Sequence, residues 1–426
     1  MFEALVNAFR APDIRRRILF ILAMLVIVRM LAHVPVPGVD REALEGLIGE
    51  NSFLQMMNLF SGGGLQNFSI IAMGVNPYIT SSIIMQLMTG VVPRLQQLSR
   101  EGEYGRQKIN SYTRRLTVLL AILQGYGYLA LLNARGVVMD FDITSFATLT
   151  QIITLTAGTV LLMWIGELIS ERGIGNGISF IIFAGIIAGL PGAVSTFMTS
   201  PDLAAAIAFG ALALAAVAVI VYIQEGQRRI PIQYASRVRG RRMYQGGATF
   251  LPLRVNQAGV IPIIFAVSIL LFPVQMATYF SASGGIIEDI ANTVITWLDQ
   301  GSPIYAIVFF LLVVGFTYFY TAFTFKPDET ADQLRKNGGF IPGIRPGAPT
   351  RDYLAKVVFR ISLAGAIFLG LVAVSPIIVG WFFRDSVLGS FALGGTSLLI
   401  VVSVVVETMK QLEAQLMMRN YEGFIK

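Results

Sequence analysis

The 426-residue chain contains no cysteine and a single histidine, His33. Disulfides, thiolate metal sites and cysteine nucleophiles are therefore excluded, and a histidine cluster for metal binding or acid/base work has no second member. Charge is equally scarce. Asp, Glu, Lys and Arg make up 13% of the residues, against roughly 25% in soluble domains. Apolar residues account for 55% and the mean hydropathy is +0.68, which rules out a soluble globular domain and points to a polytopic membrane protein. No G-x-x-x-x-G-K-[ST] string occurs, so a nucleotide-cradling P-loop is absent. The glycines of RGIGNGIS (Gly173, Gly175 and Gly177) follow an apolar helix rather than a strand. They read as a tight turn entering a helix, not as a dinucleotide site. Ion-coupled transport usually shows itself as ionisable residues inside the membrane. Here these are confined to Arg29, His33, Glu167 and Glu407, with no chain of buried carboxylates. Arg29 reads as a snorkelling or structurally paired residue, and His33 as a hydrogen-bonded residue at the outer interface.

What the sequence does have is long apolar runs. A helix needs about 20 mostly apolar residues to cross the hydrocarbon core. Ten segments meet that requirement: 18–36, 74–92, 116–132, 149–169, 178–198, 203–223, 258–280, 304–325, 357–383 and 391–409. Of the 32 Lys and Arg residues, 28 fall in the N-terminal segment, in alternate loops and in the tail, while Arg41, Arg135 and Arg384 are the cations of the other loops. The positive-inside rule then places both termini in the cytoplasm. Arg29 and the following PVPG argue that the first run is a span rather than a cleaved signal. Phe2, Leu5, Val6 and Phe9 are spaced for a short interfacial helix, a frayed end being the alternative. Ten spans divide into two sets of five. Because five is odd, a duplicated half is inverted relative to the first, which is a transporter-like signature. No sequence similarity between the halves supports it.

Two features go beyond an ordinary transporter. The segment 58–73, NLFSGGGLQNFSIIAM, is too short and glycine-rich to span and too apolar for a solvated loop. It is either a re-entrant element enclosed by the bundle or an interfacial helix on its outer surface. The inward loops 224–257 and 326–356 exceed thirty residues each, longer than most connections. Runs such as RRIPIQYASRVRGRRMY suit docking to an acidic or phosphate-bearing partner. Loop length favours docking over a purely topological role.

The strings FSGGGLQNFSI, NPYITSSIIMQLM, EGEYGRQKINSYTR, MWIGELISERGIGNGISFIIFAGIIAGLP, GQRRIPIQYASR, GRRMY, LPLRVNQAGVIPIIFA, FYTAFTFKPDETADQLRKNGGFIPGIRPG and GGTSLLIVVSVVVE resemble the signature segments of the SecY family, the central subunit of the protein-conducting translocon. They occur in the family's order and cover nearly the whole chain. The resemblance implies an all-α polytopic protein of the bacterial cytoplasmic membrane, with ten transmembrane helices in two inverted five-helix halves and a short re-entrant plug helix. The organisation would be a cytoplasmic segment 1–17, a first half 18–198 that includes a plug at 58–74, a second half 203–409, docking loops 224–257 and 326–356, and a tail 410–426.

The same resemblance implies the site residues. A pore ring would comprise Val75, Ile79, Ile178, Ile182, Ile264 and Ile400, and the plug would include Ser61, Gly62, Gly63, Gly64, Phe68 and Ile70. Thr80, Gln124 and Asn256 would form the polar cluster of a lateral gate between spans two and three and spans seven and eight. Arg241, Arg242 and Arg345 would dock the SecA motor or a ribosome and its RNA. SecE and SecG are the implied partner subunits, signal sequences and nascent polypeptides the cargo, and membrane lipid the sideways exit. No cofactor, metal or catalytic residue is implied, and the chain would be no enzyme. The competing function, favoured by the repeat count alone, is secondary transport of a small solute. A structural membrane scaffold is a third reading, but it needs neither plug nor collar.

Overall fold

The computed structural model describes residues 9, 11–50, 54, 57–58, 61–138, 142, 145–198, 203–234, 237–239, 242–244, 248–280, 285–299, 301–382 and 395–423. In chain order the first part runs α1 (Pro12–Leu31), α2 (Arg41–Glu50), α3 (Asn76–Val91), α4 (Pro93–Arg100), α5 (Glu103–Ala134), α6 (Phe146–Arg172) and α7 (Gly177–Met198). The second part runs α8 (Leu203–Glu225), β1 (Gln227–Tyr234), β2 (Arg237–Arg239), β3 (Arg242–Tyr244), β4 (Ala248–Arg254), α9 (Ile261–Phe280) and α10 (Ile286–Trp297). It continues with α11 (Pro303–Thr324), α12 (Pro327–Lys336), β5 (Gly339–Phe340), α13 (Ala348–Phe382) and α14 (Gly395–Gly423). Each apolar segment marked in the sequence falls on a helix: α1, α3, α5, α6, α7, α8, α9, α11, α13 and α14. Among the described residues, five helices are long and apolar enough by themselves to cross a bilayer.

In hydrocarbon every backbone N–H and C=O must be satisfied within the chain, and a helix does so segment by segment. Proline marks several starts. Pro12, Pro77, Pro303 and Pro327 occupy the first turns of α1, α3, α11 and α12, where the missing N–H costs nothing.

The packing repeats between the two parts. In the first, α3 packs on α5, α5 on α6, α6 on α7, and α1 on both α6 and α7. In the second, α9 packs on α11, α11 on α13, α13 on α14, and α8 on both α13 and α14. These five contacts correspond helix for helix, a repetition of packing that the side chains do not show, with α3 also touching α6 in the first part. The two units meet where α9 touches α3 and α5, and where α7 touches α14. One apolar core runs through both, from Ile21 and Val28 in α1 to Val404 and Leu412 in α14.

The helical fold class stands, and the basic loops add a small sheet to it. There β1 pairs antiparallel with β4, from Gln227 opposite Arg254 to Gln233 opposite Ala248, and its far end pairs with β5. The physical reason is a period-2 alternation hidden among the arginines. Ile230 and Ile232 turn inward with Leu253 while Arg228, Arg229 and Gln233 stay exposed. The inward side chains join Leu334, Ile341, Leu354 and Val358 in a separate apolar cluster. The two long loops are therefore one folded platform with its own core, rooted on the start of α13.

Leu354 is fully buried at the centre of that cluster. Leu354→Ala is expected to cost about 2–5 kcal/mol locally, seen as faster proteolysis of the β1–β4 region with unchanged helix content in the membrane.

Candidate functional site

On the basic-loop side an open cavity of about 470 Å³ is lined by Ser82, Gln86, Glu103, Asn110, Arg114, Glu167, Ser170, Glu171 and Asn176, and it ends on Ile79, Ile178, Ile264 and Phe265. It is a polar funnel with an aliphatic floor. Arg114 of α5 and Glu167 of α6 form an ion pair in its wall, Nε to Oε1 at 2.8 Å. Three of the six ring candidates thus share one floor. The other three, Val75, Ile182 and Ile400, are buried in the core they join, immediately before α3, on α7 and on α14.

Local chemistry sets the floor's positions. Gly175 turns the chain with φ at +87°, a conformation that favours glycine. The Asn176 Oδ1 then accepts the backbone N–H groups of Ile178 and Ser179 at 3.0 and 3.3 Å, capping α7. Gly177 packs so tightly that an added Cβ would stand 1.9 Å from the Gly166 carbonyl oxygen, and its N–H donates to Ser170 Oγ at 2.8 Å. Gly166 in turn leaves the space that Ile178 fills, since a Cβ there would meet the Ile178 methyl at 2.4 Å. The RGIGNGIS string is thus a tight turn and helix start built to seat an isoleucine.

Across the floor, the segment expected as a short helix behaves differently. Leu54, Met57 and Asn58 are helical, but 61–75 is a succession of tight turns. Gly62 and Gly63 take φ values of +67° and +82°, and Phe68 takes +40°, which no α-helix accommodates. Ser61 holds the first turn, donating to the Asn58 carbonyl and accepting from the Leu65 N–H, both at 3.0 Å. Gly64 leaves room for the Ser69 hydroxyl, which would lie 2.9 Å from a Cβ there.

The segment is enclosed rather than superficial. Phe68, Ile71 and Met73 are almost wholly buried. Its backbone is strapped to the end of α1: the Val36 N–H donates to the Phe68 carbonyl at 2.8 Å and the Ile70 N–H to the Val34 carbonyl at 3.0 Å. Arg29 donates from its guanidinium to the Gly62 carbonyl, and Gly62 rests against the Gly185 backbone of α7. Arg29 is therefore paired with this segment's backbone, the structural-pair alternative of the sequence reading. His33 donates through Nδ1 to the Arg29 carbonyl at 2.8 Å.

The three gate candidates are not brought together. Thr80 and Gln124 border one small cavity with Asn76, Ser268 and Gln275. Thr80 donates back to the Asn76 carbonyl at 3.0 Å. The Asn76 side-chain nitrogen is buried without a hydrogen-bond partner among the described residues, a cost that keeps this seam polar and loosely satisfied. Asn256 stands elsewhere, beside a second cavity of about 220 Å³ that Arg254, Glu407 and Lys410 also line. Its amide closes a loop on Gly259, donating to that carbonyl at 3.1 Å and accepting its N–H at 3.0 Å. The short Asn–Gly spacing satisfies the side chain locally, which is why it sets the start of α9 and does not reach α3 or α5. Asn76, Ser268 and Gln275 were missed from sequence. The available signals were the Asn-Pro pair opening a span, and two polar residues seven apart on one face of the apolar α9.

On the platform, Arg345 is exposed between Gly343 and Gly347, whose φ values are +81° and +105°. The buried Thr350 donates to its carbonyl at 2.8 Å. Nearby Arg351 contacts Asp352 and Asp328, whose carboxylates push its pKa up, so it stays a fixed cation. Arg242 lies in β3 opposite Arg239, and Arg241 falls outside the described residues.

A SecY family model matches residues 69–409. The chain is 45% identical over 447 aligned positions to the protein translocase subunit SecY of Streptomyces galbus, with 100% of both chains covered. Among solved structures it is similar to one described as a protein conducting channel, with a TM-score of 0.65, 19% identity and coverage of 93% of this chain and 91% of that one. It is also similar to Sec61 in the canine ribosome-channel complex from the endoplasmic reticulum, with a TM-score of 0.62, 18% identity and the same coverage.

An added Cβ at Gly158 of α6 would stand 1.8 Å from the Ile70 carbonyl oxygen. Gly158→Ala is therefore expected to push the 61–75 segment off its seat and raise ion conductance across a planar bilayer several-fold. Unchanged conductance would mean that the segment does not close a water path.

Proposed function

The chain belongs to the SecY family, and from that premise we propose that it is a protein-conducting channel. It passes unfolded polypeptides across the bacterial cytoplasmic membrane and releases apolar helices sideways into lipid. The observation that carries this reading is the polar funnel ending on branched aliphatic side chains, with the strapped turn segment next along the chain. Water and an extended peptide fit the funnel. The aliphatic floor excludes ions by dewetting, and side chains without fixed hydrogen bonds bend around whatever peptide enters. Val75, Ile182 and Ile400 complete the collar in this reading, and 61–74 acts as the plug. The small-solute transporter is left without support.

The sideways exit lies where α9 meets α3 and α5, with Thr80, Gln124, Asn76, Ser268 and Gln275 along the polar seam. Hydrogen bonds across membrane helices are worth about 0.6–2 kcal/mol, and an entering apolar signal sequence replaces them with its own surface. Asn256 contributes by fixing the start of α9.

The chain supplies a path and no catalysis. Direction comes from a docked SecA motor or a ribosome, bound to the cytoplasmic platform through Arg345, Arg242 and Arg241. The solved canine relative stands in a ribosome-channel complex, and two loops folded over a common core make a stiff surface for such a load. Arginine among glycines and prolines makes bidentate contacts with carboxylate or phosphate. SecE and SecG pack around the bundle, and both termini are cytoplasmic.

The absence of cysteine makes the channel reading directly testable. With Ile79→Cys or Ile400→Cys, a stalled secretory polypeptide carrying its own cysteine is expected to form a disulfide. The exposed Leu214 of α8, changed to cysteine, is expected to form none. Crosslinks equal at all three positions would sink the central-pore reading. Arg345→Glu is expected to abolish motor-driven translocation while complex assembly, followed by co-purification, stays intact.

A further inference from the structure

Helix α10, between α9 and α11, has three faces. At 100° per residue, Ile286, Ile290 and Trp297 fall within 40° of one another, and they are 78%, 60% and 56% exposed. Ala291 and the half-buried Ile295 lie on an adjoining face, and Ala291 is almost wholly buried where α10 packs against α9. The third face is polar and exposed, carrying Asp289, Asn292 and Thr296, with Thr293 at its border with the bare apolar face. A helix resting on protein in water needs two faces, apolar beneath and polar above. A third face, apolar and bare, needs another apolar medium.

We infer that α10 lies in the membrane interface on the side opposite the basic platform, with its bare apolar face against outer-leaflet lipid. Two observations select lipid rather than a protein partner. The apolar face carries no charge, and it leads along the chain into the lipid side of α11, where Ile304, Ile307 and Leu311 are likewise exposed. Trp297 ends α10 with its indole exposed, and four residues further along the chain the Gly301 carbonyl accepts the Trp381 indole N–H at 2.8 Å. Indoles are enriched at the headgroup boundary, and a short helix with this division of faces is the interfacial type. Because α10 packs on α9, the far end of that helix is tied to the bilayer surface. Movement of α9 away from α3 and α5 therefore drags an apolar face through the headgroup layer.

The test uses the full complex in vesicles of phosphatidylethanolamine and phosphatidylglycerol. A nitroxide is placed on Ile286→Cys, Ile290→Cys or Asn292→Cys, and its collisions with oxygen and with a water-soluble nickel chelate are compared. At positions 286 and 290 oxygen collisions are expected to exceed nickel collisions several-fold, with the order reversed at 292. Nickel access at 290 equal to that at 292 would overturn the inference in favour of a solvated helix. Exclusion of both relaxers at 286 and 290 would overturn it in favour of a second copy or a partner subunit covering the face.

Discussion

Everything in this molecule depends on apolar helices meeting across a seam inside lipid. Lipid tails are as apolar as leucine, so separating two helices in a membrane forfeits packing but little hydrophobic free energy. The seam between α9 and the α3–α5 pair, with its counterpart between α7 and α14, is therefore cheap to open. The units on either side are stiffer because glycine lets elements approach closely within each. Gly177 stands over the Gly166 carbonyl in the first unit. In the second, Gly365 leaves space for the Val255 carbonyl, and a Cβ at Gly370 would strike the Phe310 ring at 2.6 Å. Soft contacts between rigid units are what a channel needs if it is to open sideways without unfolding.

A soft seam must still be watertight at rest. In the channel we propose, the aliphatic floor and the 61–75 turns would answer that demand with different physics. The floor is closed by packing alone, and branched side chains yield and recover. The turns are held by individual backbone hydrogen bonds to Val34 and Val36, each worth about 0.5–1.5 kcal/mol net, and by the charged Arg29, worth about 1.5–3 kcal/mol. As the proposed plug, a segment held by a handful of such bonds would stay in place at rest and give way to a chain that brings its own contacts. Turn geometry suits this better than a helix would, because successive carbonyls and N–H groups point outward to reach α1 rather than inward along an axis.

The platform has a core of its own: its cluster around Leu354 and Ile232 is distinct from the core of the bundle and reaches the base of α13. The cavity lined by Arg254, Glu407 and Lys410 lies where the platform strand β4 leads into α9, and there Lys410 donates to the Gln224 carbonyl at 2.8 Å.

How much of this the residues declared in advance differs from element to element. The apolar runs marked segments that fall on helices, because a helix satisfies its backbone polar groups within the segment, as an apolar surrounding demands. The clustering of arginine in alternate loops put 224–257 and 326–356 together, and the structure joins them in one sheet. The glycines of RGIGNGIS were legible as a turn because positive φ and a missing Cβ are properties of the residue itself. What the sequence could not settle was long-range. The β1–β4 pairing was masked by arginines interrupting its alternation, and residues 61–75 took turns because their partners lie on and just after α1 and on α7. Asn256 closed on Gly259 three residues away, while Asn76, Ser268 and Gln275 met Thr80 and Gln124 across two units. The sequence by itself determined which segments are helical, because that choice is made by each residue with its near neighbours and its solvent. Which polar groups share a seam, and which isoleucines share a floor, was decided by tertiary structure, because those contacts exist only once separate helices pack.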